Sequence, residues 1–200
     1  MKNIILSLAI AATTLAVYSN NSNKSTESLN MSNNTQARTQ TGNATLTTSS
    51  VTDAQNTVSI KEIVSAYLQM KNAFTEDNST NAATAGKKLE AAFKNFDKSS
   101  LTATQKKTFE DVEADAREHA EHIGKNGGNI AHQREHFEIL SKDIYDLVKS
   151  FGGGQVLYKD FCPMYNNGKG AFWISEIKEI KNPYMGKSML TSGSIKEEIK

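Results

Sequence analysis

The feature that most constrains this chain is a run of four apolar patterns with helical period, laid end to end from about residue 57 to residue 151. In the first, Ile60, Ile63, Val64, Tyr67, Leu68 and Phe74 recur at spacings of three and four, which puts them on one face of a helix. Ser59 and Glu62 have capping-box spacing at its start. The second pattern, in "NAATAGKKLEAAFKNF", carries Ala82, Ala85, Leu89, Ala92, Phe93 and Phe96 on one face, and its small residues allow close approach of a neighbouring helix. Thr102 and Gln105 form another capping box, ahead of Phe109, Val112, Ala116, His119, Ala120 and Ile123. "GKNGGN" breaks that helix, and a fourth runs from Ile130 through Phe137, Leu140, Ile144, Leu147, Val148 and Phe151 until "GGG" stops it. A chain of this kind folds as mainly α, an antiparallel four-helix bundle with short connections.

The segments on either side differ. "MKNIILSLAIAATTLAVYS" has Lys2 ahead of an apolar run from Ile4 to Val17, the layout of a secretory signal peptide over residues 1–19. Its run is short for a membrane span, so the mature protein is expected to have none. Residues 20–56 are rich in Ser, Thr and Asn and nearly free of large apolar side chains, which reads as a disordered linker. The expected location is therefore periplasmic or otherwise exported. After the last helix, "QVLYKDF" and "AFWISEI" have strand composition and flank a turn-rich loop, "CPMYNNGKG". They predict a small β-hairpin or irregular cap completing a domain over 57–200. "KSMLTSGSIKEEIK" reads as a solvated tail.

Charge excludes some partners. The net charge of +1 and the lack of a long basic run give no basis for nucleic-acid binding. No phosphate loop, nucleophile elbow, HExxH or CxxC is present, and no base stands near the single cysteine in sequence. The chain is not expected to be an enzyme.

Two groups of residues carry metal chemistry. The C-terminal segment holds the only cysteine and tryptophan, both prolines and three of the six methionines. Cys162 and Met164 flank Pro163, and on extended backbone their side chains share a face. Met185 and Met189 lie four apart further on. Together they offer a thiolate and thioethers, ligands that select soft ions such as Cu(I) or silver. The bland alternative is that the methionines fill gaps and the cysteine is a buried hydrophobe. The second group is the four histidines, His119 and His122 before the "GKNGG" break and His132 and His136 after it. An antiparallel hairpin brings both pairs to one end of the bundle, where imidazoles suit copper or zinc and Glu118, Glu121 and Glu135 are available as outer partners. Against this, His119 falls on the apolar stripe, as a satisfied core histidine would.

"HQREHFEILSKDIYDLVKSFG", "CPMYNNGKGAFWIS" and "IKNPYMGKSMLTSGS" resemble an uncharacterised domain family of Gram-negative envelope proteins. Its members also occur as a C-terminal extension of the periplasmic adaptor subunits of copper and silver efflux systems. The residues that carry the resemblance are Cys162, Pro163, Met164, Gly170, Ala171, Trp173, Ser175, Asn182, Pro183, Tyr184, Gly186 and Met189. Ser192 stands where the family pattern has a second cysteine, and a hydroxyl is a poor ligand for a soft ion. The resemblance implies an exported domain that binds copper or silver, with an efflux adaptor or another envelope protein as partner. Within it, Cys162, Met164, Met185 and Met189 would be the ligands, and Pro163, Trp173, Pro183 and Tyr184 structural. A metal-free structural or interaction module of the envelope is the alternative.

Overall fold

A computed structural model describes residues 59–200. The expected signal peptide, and the linker with it, lie outside the described residues. Four helices follow in order: α1 (Lys61–Thr75), α2 (Ser79–Lys94), α3 (Ala103–Lys125) and α4 (Ile130–Phe151). Three strands come after them, β1 (Leu157–Cys162), β2 (Ala171–Ser175) and β3 (Ser194–Ile199), with a single 3-10 turn at Gly186–Ser188. Each helix packs on the next, as short connections require, and β2 lies against α4 and α1. The molecule is mainly α, a helical bundle carrying a small antiparallel sheet of order β2-β1-β3. Among the described residues no helix is long and apolar enough to cross a membrane.

The helix starts show how local chemistry sets the bundle. Thr102 and Gln105 form the expected reciprocal cap of α3. The Ser59–Glu62 box does not form at α1. Ile60 is drawn into the core and becomes the N-cap position, so Ser59 Oγ accepts from Lys61 N at 3.2 Å instead. Asn78 caps α2 by accepting from Asn81 N at 2.9 Å. Small residues bring α2 and α3 together as their sequence suggests. A Cβ on Gly86 would stand 2.8 Å from both Ala120 O and Gly124 N.

Aromatic side chains fill the space between bundle and sheet. Tyr67 stacks on Phe137 at 5.1 Å between ring centroids, and Phe74 meets Phe137 edge-on at 5.0 Å. The Tyr67 hydroxyl lies 2.8 Å from Ser141 Oγ and accepts from Ile174 N at 3.0 Å. That bond satisfies a backbone donor on the edge of β2 that no strand covers.

The C-terminal segment is not a solvated tail. Residues 194–199 pair antiparallel with β1, with a register break between Lys159 and Asp160. The mixed sequence "SIKEEI" hides this because only Ile199 is buried. The charged residues belong to an outer edge strand, where charge discourages further pairing. The irregular stretch before it is organised by Asn182, which is fully buried. Its Oδ1 accepts from Tyr184 N at 2.9 Å and Met185 N at 3.1 Å, and its Nδ2 donates to Ser192 O at 2.8 Å and Ser192 Oγ at 3.0 Å.

Candidate metal centre

The α3–α4 hairpin is fixed at its turn by two side chains of the first turns of α4. Gln133 is fully buried and donates to Ile123 O at 3.0 Å and Ser79 O at 3.1 Å, while its Oε1 accepts from Ser79 Oγ at 2.8 Å. Arg134 donates through Nε to Pro183 O at 2.7 Å and through a second nitrogen to Asp77 Oδ1 at 2.7 Å and Phe74 O at 2.9 Å. These two side chains tie the first turns of α4 to α2, to the α1–α2 turn and to the cap. His132 and His136 stand on either side of them in sequence, so their helix is held firmly before any ligand arrives.

Across the seam the two histidine pairs meet. His136 Nδ1 is 2.8 Å from His119 Nδ1, and His136 Nε2 is 3.2 Å from His132 Nε2. The His122 ring stacks on that of His136 with centroids 4.4 Å apart. His122, His132 and His136 each offer one nitrogen such that all three lie within 4.8 Å of one another. For metal–nitrogen bonds of about 2.0–2.1 Å, a tetrahedral edge is about 3.3 Å. The His132–His136 pair already has that spacing, and His122 brings a nitrogen within 4.8 Å of a nitrogen of each. The His122 and His132 side chains are 44% and 36% exposed, so the cluster opens to solvent on one side.

Electrostatics favour ligation. Burial, reinforced by the neighbouring His122, His119 and His132, pushes His136 down to about 4. At neutral pH its ring is therefore uncharged, the form that binds a metal. Carboxylates stand outside the ring of imidazoles. Glu135 Oε2 lies 3.4 Å from His132 Nδ1, and Glu118 Oε1 lies 3.9 Å from His122 Nε2. Glu121 is taken up by Lys125 instead. Asp115 Oδ1 lies 3.3 Å from His119 Nε2. Asp115 precedes His119 by one helical turn, a spacing visible in the sequence, whereas Glu118, Glu121 and Glu135 lie nearer the histidines along the chain. His119 itself is 8% exposed, in keeping with its place on the apolar stripe.

The sulfur residues occupy different environments. Cys162 is fully buried at the end of β1, paired in register with Ala171. Met185 packs against the core from outside, whereas Met164 and Met189 are 47% and 41% exposed. The other motif residues have structural partners. Trp173 is fully buried on β2, and Pro183 is buried where its carbonyl receives Arg134. Tyr184 donates to Phe172 O at 2.6 Å and stacks on Tyr165 at 4.4 Å. Pro163 is exposed in the turn after β1. Ser192 Oγ donates to Met189 O at 2.9 Å as well as accepting from Asn182, so at this position the hydroxyl closes a turn.

Fold and site together define a helical domain with an open cluster of imidazoles on one helical hairpin. Residues 63–155 match the family model described as "Protein of unknown function (DUF3347)", so this segment is similar to a domain family of uncharacterised function. The match spans most of α1 and all of α2 to α4, including the four histidines. No curated protein and no solved structure matches the chain.

Proposed function

We propose that this chain is an exported domain that captures copper in the cell envelope, with His122, His132 and His136 as the ligands. The observation that carries the reading is the convergence of three ring nitrogens within 4.8 Å on a hairpin locked by buried side chains. Three protein ligands with one open, solvent-facing side leave room for an exchangeable fourth ligand, as suits uptake and hand-over. Among divalent first-row metals, copper binds nitrogen sites most tightly. The reading keeps the copper expectation and moves its ligands from sulfur to nitrogen. The signal-like N-terminus supports export, and the efflux resemblance supports an adaptor or other envelope protein as recipient.

The test is titration of the metal-free full chain with Cu(II) against a competing chelator. Substitution of His122, His132 or His136 by Ala should weaken binding by more than the roughly 10–100-fold that loss of an outer partner costs. A Cys162→Ser, Met164→Leu double substitution should leave it unchanged. Binding that survives all three histidine changes overturns the reading, and binding lost only in the double variant restores the sulfur ligands. No binding at all favours a metal-free interaction module.

A further inference from the structure

Five side chains form one continuous line along the α3–α4 seam: Asp115, His119, His136, His132 and Glu135. The contacts are 3.3 Å from Asp115 Oδ1 to His119 Nε2, 2.8 Å between the Nδ1 atoms of His119 and His136, 3.2 Å between the Nε2 atoms of His136 and His132, and 3.4 Å from His132 Nδ1 to Glu135 Oε2. A neutral imidazole has one N–H and one lone pair. Three rings thus supply three protons for four contacts. The Glu135 carboxylate is hydrogen-bonded to His132 Nδ1, and the Asp115 carboxylate stands at ion-pair distance from His119 Nε2, so at each end a negative oxygen favours an N–H over a lone pair on the nitrogen that faces it. Starting from Asp115, His119 carries its proton on Nε2 and turns its Nδ1 lone pair to His136. His136 must then carry its proton on Nδ1 and leave Nε2 bare. Starting from Glu135, His132 carries its proton on Nδ1 and also leaves Nε2 bare. The one contact without a proton is the pair of Nε2 atoms, and there two lone pairs face each other. A cation is what such a gap accepts.

We propose that Asp115 and His119 are positioning residues, which fix the tautomer of His136 so that it and His132 both bind the ion through Nε2. This rests on the imidazole reading above and assigns its coordination mode. His119 is then an outer partner, although it touches the cluster as closely as any ligand. Its burial and its bond to the far side of the His136 ring agree with that role. Outer partners of this kind orient a ligand ring and raise its basicity.

The experiment adds Cu(II) to the metal-free full chain and reads both affinity and pulsed EPR, which reports the remote, protonated nitrogen of each coordinated imidazole. Asp115→Asn and His119→Gln should each weaken binding roughly 10–100-fold. They should leave the number of coordinated imidazoles unchanged and shift the remote-nitrogen coupling of one of them. Asp115→Glu should recover most of the affinity. Asp115 is largely exposed, so its variants fold, and circular dichroism confirms this for His119→Gln. Variants that match the parent in affinity and remote-nitrogen signal overturn the relay while the copper site stands. Loss of one coordinated imidazole in His119→Gln also overturns it, by making His119 a ligand. A parent chain that coordinates no imidazole removes the copper site and the relay with it.

Discussion

Asp160 shows how one residue can tune the stability of this domain. It is fully buried on β1 opposite Trp173, and neither of its oxygens has a hydrogen-bond partner. Burial pushes its carboxyl from 3.8 up to about 7, against the pull of the Lys71 ammonium. Lys71 is itself buried and sits 2.8 Å from Glu176. Burial lowers the Lys71 ammonium. Burial alone would raise the Glu176 carboxyl, but Lys71 and Asn72 outweigh it and hold it down. The sign for Asp160 follows from linkage. A carboxyl raised in the folded state binds its proton more tightly there than in the unfolded chain. Its contribution is complete below about pH 3.8 and is lost as pH rises through about 7. Asp160→Asn mimics the protonated acid at every pH. It should match the parent at pH 4 and be more stable at pH 8, by an amount of order 3 kcal/mol. Urea unfolding of both proteins at the two pH values, with chelator present, measures this. An equal difference at both pH values would mean that Asp160 is ionised in the fold. Two residues further along β1, the burial of Cys162 predicts a protected thiol. A thiol reagent should modify the native protein only at the rate of its opening, and fast labelling would place the thiol at the surface.

At the scale of elements, the α2–α3 contact depends on the absence of side chains. Replacing glycine by alanine inside an exposed helix ordinarily gains about 0.5–1 kcal/mol. At Gly86 the added Cβ would lie 2.8 Å from two backbone atoms of α3, which cannot rotate aside. Gly86→Ala should therefore lose about 1–3 kcal/mol, the usual cost of overpacking, while Thr84→Ala on the exposed side of the same helix should not. Thermal melting of the two variants separates steric wedge from propensity. Helical period, capping residues and glycine breaks made this level of the structure legible. Apolar stripes needed no partner to be recognised, and Thr102 declared the start of α3. The histidine hairpin was legible for the same reason, because helix length and a short loop determine which ends meet. What stayed hidden depended on tertiary partners. Ile60 displaced the cap of α1 because the core drew it in, and β3 looked like a solvated tail because its polar edge faces water. The C-terminal motif stands out in the sequence because sulfur is rare, but its hydrogen-bonding duties do not. The partners that give its Asn182, Tyr184 and Ser192 structural duties lie on other segments or in folded turns.

The whole molecule raises the question of where its folding unit ends. The family match stops at residue 155, yet the buried core does not. Leu157, Cys162, Ala171, Trp173, Ile174, Tyr184 and Ile199 belong to the same cluster as Tyr67, Phe137 and Leu140. Removing the cap would bare the apolar face shared by α1 and α4, take Ile174 N from the Tyr67 hydroxyl, and strip Lys71 of Glu176. Full burial of a large apolar side chain is worth about 1.5–3 kcal/mol, and whole domains are stable by only about 5–15 kcal/mol. Four or five such side chains in the cap account for a loss comparable to the whole margin. A chain ending at Gln155 should keep much of its far-UV helical signal but lose its cooperative thermal transition, and it should expose apolar surface to a hydrophobic dye. Its copper affinity should fall as well, since Arg134 would lose the Pro183 carbonyl that helps to hold the first turns of α4. A sharp transition within a few degrees of the full chain would instead show that the four helices fold alone. The sheet would then be an accessory, free to serve a partner without cost to the bundle.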